Sequence, residues 1–142
     1  PDFAARGDGI GSETVITEDR LFENVFSGGS GFLYAFARSG QGCFGQLPLC
    51  QPLWQARMAN GIPWAPAASR SLIFVAAPRG VNDSDLLVFD QHPNDCSGVP
   101  VVCAPIRTIT IPDLTQVGPT LTNGRVVVGG VTTALRVFSI PA

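Results

Sequence analysis

The chain has 142 residues, 45% hydrophobic and 14% charged, with 16 Gly and 12 Pro, so it can build one domain with a real core, and it is too apolar for disorder and too punctuated for long helices. Its formal net charge is -2 and all nine of its cations are Arg, spread along the chain with no basic stripe, which argues against nucleic acid as a partner. No run of apolar residues reaches the length of a transmembrane helix, so no transmembrane segment is expected.

In chain order, Pro1-Asp2-Phe3 has no signal-peptide pattern, so any export signal is expected to have been removed already. Arg6-Gly7-Asp8 is an integrin-type tripeptide of a kind that arises often by chance. Gly28-Gly-Ser-Gly31 reads as a hairpin loop, and with no Lys and no helix after it, it fails as a phosphate loop. Short segments rich in Val, Ile, Leu and Phe and bounded by Gly, Asn, Pro or Ser then follow one another, the signature of strands. About four fall in each repeat unit, those of the middle copy near Leu53 to Arg57, Trp64 to Ala68, Leu72 to Ala76 and Leu86 to Phe89. Trp54 and Trp64 both lie in these strands and are expected in the core, the alternative being an aromatic face offered to a glycan. Asn82-Asp-Ser84 is a glycosylation sequon, and His92 sits in the polar turn Asp90-Gln-His-Pro, where a lone His is expected to be solvated. Further on, Asn123-Gly124, between Thr120-Leu-Thr122 and Arg125-Val-Val-Val128, predicts a type I′ hairpin turn.

Self-comparison exposes a repeat. Leu33, Phe36, Cys43, Cys50, Pro52 and Pro66 recur 53 positions later as Leu86, Phe89, Cys96, Cys103, Pro105 and Pro119. A third copy places Ser69 to Val75 opposite Thr122 to Val128, but Phe138 follows Phe89 by only 49, which predicts one shortened hairpin loop. The first copy aligns Glu13 to Phe26 with Pro66 to Ala77 only after a slip of a residue or two. The whole chain, 1–142, is therefore expected to be a single all-β repeat region with copies at approximately 11–63, 64–116 and 117–142.

The four cysteines form two C-x6-C units, Cys43 with Cys50 and Cys96 with Cys103, each with a Gly two positions after the first Cys. Local pairing into two disulfides is the simplest of the three possible connectivities. Structural zinc would bring C-x2-4-C spacing and nearby His, and a redox pair would bring C-x-x-C. No metal site is expected. Each disulfide loop is expected to join the last strand of one copy to the first of the next, and such bonds imply an oxidising, extracytoplasmic compartment: periplasm, cell surface or medium. The complete lack of Lys hints at a GC-rich bacterial source.

The run Val117 to Gly130 followed by Ala134-Leu-Arg-Val-Phe138, and Gly31-Phe-Leu-Tyr-Ala-Phe36, resembles the repeat of quinoprotein-like (PQQ-type) β-propellers, with Leu53-Trp54 matching that family's Leu-Trp strand and Ile106-Arg107 in its place one copy later. The resemblance implies blades of antiparallel strands in a propeller left incomplete, since about two and a half repeats fall short of the four or so that closure needs. It suggests a fragment of a longer polypeptide, or closure by other chains. Quinoprotein dehydrogenases hold PQQ with a stacked Trp, two adjacent Cys and a Ca²⁺ ion. The adjacent Cys pair is missing here, and Ala37-Arg-Ser-Gly40 and Asp90-Gln-His-Pro93 stand where those enzymes carry Asp-x-x-Thr-Gly, so no cofactor is expected. The expected function is a non-catalytic structural or protein-interaction module of an exported propeller. Its partner would be another protein or the remaining blades of a larger propeller. The alternatives are a fragment of a PQQ-dependent dehydrogenase or a carbohydrate-binding module.

Overall fold

The computed structural model describes residues 10–11, 13–46, 49–58, 63–132 and 134–140; the Arg6-Gly7-Asp8 tripeptide lies outside them. Among the described residues the chain is all-β, with no helix and therefore none long and apolar enough to cross a membrane.

The first sheet consists of β1 (Ile10–Gly11) and β2 (Val15–Ile16), both paired to β3 (Arg20–Ser27), followed by β4 (Ser30–Ala37). A small separate hairpin, β5 (Cys43–Phe44) with β6 (Leu49–Cys50), comes next, and β7 (Trp54–Arg57) then returns to pair with β4. The second sheet is β8 (Ala67–Ala68), β9 (Leu72–Pro78), β10 (Ser84–Asp90) and β11 (Arg107–Ile111) in sequential antiparallel order. The third is β12 (Thr120–Thr122), β13 (Arg125–Gly129) and β14 (Leu135–Ser139). None of these sheets closes on itself.

Strands β7, β8 and β9 begin at Trp54, Ala67 and Leu72, and β11, β12 and β13 begin 53 residues later at Arg107, Thr120 and Arg125. Strands β2 and β3 precede β8 and β9 by 52, which is the slip expected for the first copy. Two expectations are corrected. The segment near Leu53 to Arg57 closes the first sheet rather than opening the next copy, because Phe32 to Ala35 pair with Trp54 to Arg57; each disulfide loop therefore links the third and fourth strands of a four-strand antiparallel run, β4 to β7 and β10 to β11. The four residues lost near the end come out of the strands, not the loop: residues 79–83 and 130–134 are connections of equal length, while β9 and β10 have 7 residues each and β13 and β14 have 5. Removing one residue pair from a ladder removes two residues and keeps every side chain on its face only if rungs are lost in pairs, which is what has happened here.

The β12–β13 turn is as the sequence predicts, with Asn123 at φ 45° and Gly124 at φ 71°. The same geometry closes β3–β4, where Gly28 and Gly29 have φ 57° and 80°.

The three sheets pack face to face, and the period of two along each strand decides which residue meets which neighbour. On β9, Ile73, Val75 and Ala77 pack with Phe22, Leu33, Ala35 and Trp54 of the first sheet, whereas Phe74 and Ala76 pack with Val126 and Val128 of the third. Strand β10 divides likewise, Leu87 and Phe89 to one side and Leu86 and Val88 to the other. The second sheet is thus buried on both faces, which is why its central strands read as unbroken apolar runs. Trp54 is the keystone of the first interface: its ring lies 5.9 Å from Phe22 and 6.0 Å from Phe89. At the inner end of the stack, β8 touches both β2 and β12.

A buried polar chain ties the segments between sheets together. The Asn24 amide on β3 donates to the Trp64 carbonyl, and the Trp64 indole donates to the Thr115 carbonyl at 2.9 Å. The Thr115 backbone N–H and hydroxyl both donate to the Ser84 hydroxyl, at 2.8 and 3.1 Å. Ser84 and Thr115 are fully buried, so removing the shared acceptor leaves two desolvated donors. Ser84→Ala should cost about 1–3 kcal/mol in urea denaturation; an unchanged midpoint would show that these bonds do not hold in solution.

Candidate interaction surface

The outward side of the first sheet is largely covered, with Val25 and Phe36 buried and Leu21, Glu23, Phe32 and Tyr34 half-buried, whereas the outward side of the third sheet exposes Leu135 and Val137. On the first sheet, Phe22 and Leu33 point into the core, so Leu21, Glu23, Val25 on β3 and Phe32, Tyr34, Phe36 on β4 lie on the outward side. Antiparallel pairing sets Leu21 against Phe36, Glu23 against Tyr34 and Val25 against Phe32. The aromatic rings form a ladder: Phe32 and Tyr34 stack at 5.9 Å with 11° between planes, and Tyr34 meets Phe36 at 6.2 Å. Their apolar surroundings take water from their polar neighbours, and burial pushes the Glu23 carboxyl and the Tyr34 phenol up from their ordinary values. On the third sheet the outward face carries Arg125 and Val127 on β13 and Leu135 and Val137 on β14.

Both disulfides close, Cys43–Cys50 and Cys96–Cys103. The two hairpins they staple have different surroundings. In the second, the Gln55 N–H donates to the Val101 carbonyl and the Cys103 N–H donates to the Gln55 carbonyl, both at 2.9 Å, so the loop from the second sheet clasps the outer strand of the first. The first hairpin stands at the outward side of the first sheet, with Phe44 68% and Leu49 49% exposed. Between the hairpins and the ladder lies a cleft of about 560 Å³, walled by Tyr34, Phe36, Leu49, Gln55, Val99 and Val101. Its walls are apolar and aromatic, with Gln51 and Gln55 as polar side chains, a chemistry suited to holding another polypeptide or a nonpolar ring.

The sequence-predicted candidates fall elsewhere. Trp54 is 5% exposed and in the core, as expected. Trp64 lies outside the strands, half-buried with its indole N–H committed to Thr115, because the strand expected from Trp64 to Ala68 narrows to Ala67–Ala68. The buried Trp54 ring offers no open face for stacking on a sugar. Asn82 is exposed, while the Ser84 of its sequon is buried at the start of β10. His92 is exposed, but instead of being solvated alone it meets Asp19, Nε2 to Oδ2 at 2.8 Å, bridging the first and second sheets. The sequence holds no signal for that contact, since the two residues are 73 apart and joined only by how the sheets stack. The outward ladder was legible in principle: aromatic residues at 32, 34 and 36 share one side of any strand.

The hydrogen bond from His92 holds the Asp19 carboxyl below its ordinary 3.8, helped by Arg20. A carboxyl depressed in the folded state adds stability that is present above pH 3.8 and is lost as the pH falls through the folded value. A ¹³C NMR titration should therefore place the Asp19 midpoint below 3.8 in the parent chain and shift it upward in His92→Ala; an unmoved midpoint would rule out the contact in solution.

No family model and no curated protein matches this sequence. Among solved structures it is similar to the computationally designed Ika4 protein, at 11% identity over 98% of this chain and 97% of that one, with a TM-score of 0.49. Among the described residues, no three His, Cys, Asp or Glu side chains come together in a metal-binding group.

Proposed function

We propose that this chain is a non-catalytic structural and protein-binding module, made of quinoprotein-like propeller blades, whose exposed third-sheet face and disulfide hairpins are covered by further blades or by a protein partner. One observation carries the reading. Consecutive antiparallel sheets stack face to face, with β8 in contact with both β2 and β12, which supports a fan of blades around an axis. Leu135 and Val137 on the third sheet, and Phe44 and Leu49 on the first hairpin, expose apolar surface of the kind that marks interaction sites. The two disulfides support an extracytoplasmic setting, in the periplasm, on a cell surface or in the medium.

Electron microscopy of the oxidised protein in its assembled form tests this. A ring of radial sheets is the expected result. An extended stack without an axis overturns the propeller reading, and substrate turnover or stoichiometric quinone absorbance overturns the non-catalytic one.

A further inference from the structure

The third sheet lacks a strand that the other two have. In the first sheet β7 closes the edge of β4, and just ahead of it Leu53 donates its N–H to the Ala35 carbonyl at 2.7 Å. In the second, β11 closes β10, and Ile106 donates to the Val88 carbonyl at 2.8 Å. The counterpart of that acceptor on β14 is Val137, whose rung with Val127 matches the rung of Val88 with Phe74. Among the described residues no strand pairs with β14 on that side. Across β13 and β14 the Gly130 N–H donates to the Ala134 carbonyl and the Ile140 N–H to the Gly124 carbonyl, and antiparallel bonds fall on alternate residues. Ala134, Arg136, Phe138 and Ile140 therefore bond inward, and the backbone N–H and C=O groups of Leu135, Val137 and Ser139 point to the vacant side.

The vacancy has a floor. The second sheet runs to four strands and the third to three, and since β8 meets β12 at one edge, β11 reaches past β14 at the other. Ile109 of β11 packs into the contact between these two sheets, and by alternation Arg107 shares its face. The first-sheet positions equivalent to Arg107 and Ile109 are Trp54 and Ala56, 5% and 1% exposed, whereas Arg107 is exposed and Ile109 half-buried. From the other side, Arg136 shares the face of Phe138, which packs into the same contact, and the Arg136 Nε is buried without a hydrogen-bond partner. Neither arginine makes an ion pair among the described residues.

Two guanidinium groups at an open strand edge define the chemistry of what fits there. In the second sheet Thr108, two residues after Ile106, stands opposite Leu87, and the β14 counterpart of Leu87 is Arg136. Resting on the blade-module reading above, we propose that β14 is the docking edge for an extended, acidic segment of a partner protein. The segment lies antiparallel to β14, with an apolar residue donating to the Val137 carbonyl and, two positions later, an Asp or Glu facing Arg136 on the side of Arg107. Opposite charges directly across a strand pair stabilise it and like charges destabilise it. A second copy joined through its own β14 does not fit, because its second sheet would need the space that β11 occupies.

A labelled peptide tests this by fluorescence anisotropy and amide hydrogen exchange. The probe is a synthetic copy of residues 104–112 carrying Thr108→Glu, which keeps the spacing of the strand that closes the second sheet. It should bind the oxidised chain and slow exchange at the amides of Leu135, Val137 and Ser139. Arg136→Glu in the chain should weaken binding about tenfold, and a peptide carrying Thr108→Arg instead should recover it. If Arg136→Glu fails to fold, Arg107→Glu, at an exposed site, takes its place in the same exchange of charges. Val137→Pro should abolish binding and leave the β13–β14 bonds in place, since the N–H it removes faces the vacancy. No binding, equal binding of the Glu and Arg peptides by the parent chain, or binding unmoved by Val137→Pro overturns the proposal. Amides already protected without peptide mean a strand supplied by this chain itself or, where protection grows with protein concentration, by a second copy, and either result overturns it too. A ring of radial sheets in the micrographs would stand through all of these failures, so the module reading is judged separately.

Discussion

Leu86→Ala should cost about 2–5 kcal/mol of folding stability, and Leu135→Ala, at the same rung one repeat later, less than about 0.5 kcal/mol in the dilute chain. The two side chains are identical and both pair across a β-hairpin, although Leu86 lies on a central strand that also pairs with β11 and Leu135 begins an edge strand. The larger difference is the neighbouring sheet. Leu86 is sealed against Val126 and Val128, and truncating it leaves a cavity in addition to the lost transfer energy, whereas Leu135 already faces water. Guanidinium denaturation at low protein concentration reads the difference. Equal losses would mean that the third sheet does not lie where the structure places it, or that its outer face is covered even in the dilute chain. A Leu135→Ala loss that grows with protein concentration would instead report coverage by mass action.

Breaking the Cys96–Cys103 bond by double Ser substitution should cost more than breaking Cys43–Cys50 in the same way. The two bonds close loops of equal sequence separation, 7 residues, so the release of unfolded-chain entropy is the same for both, about 2.5 kcal/mol in the loop-closure view. The second hairpin is also clasped on Gln55 through two backbone hydrogen bonds, each worth about 0.5–1.5 kcal/mol, and these are lost if the loop relaxes. Among the described residues the first hairpin makes no such backbone hydrogen bond to another sheet. Urea midpoints of the two double variants decide it: equal losses would show that the clasp on Gln55 survives without its disulfide.

Much of the architecture could be read from the residues because it is written in local terms. A repeat of 53 shows in identity alone, Asn123-Gly124 dictates its own turn, and C-x6-C units pair with themselves. The assignment of β7 went astray because a fourth strand and a first strand look alike in sequence; only the pairing of Trp54 with Ala35 says which sheet owns it. The shortened third copy was misplaced for a similar reason, since a deletion of four residues can come from a loop or from two rungs of a ladder, and spacing does not distinguish them. Trp64 lies outside its expected strand, and its indole N–H donates to the Thr115 carbonyl, a partner 51 positions away that no local pattern announces. The interaction surface was the least legible part. Whether Leu135 or Leu86 is exposed depends on how many sheets follow, and the side chain itself carries no mark of it.

The unshared side of β14 has a consequence for the chain's handling in the cell. β14 lies at the edge of the third sheet, and the position filled by β7 and β11 in the other two is vacant among the described residues. Edge strands are normally blunted by Lys, Pro or a bulge. This chain has no Lys anywhere, and Leu135-Arg-Val-Phe-Ser139 combines strong strand formers with a single charge. Such a segment pairs readily with another extended chain, including its own kind. Wherever that edge is left uncovered, molecules would divide between orderly pairing and cross-β clumping, and a low local concentration of uncovered β14 edges would favour the former.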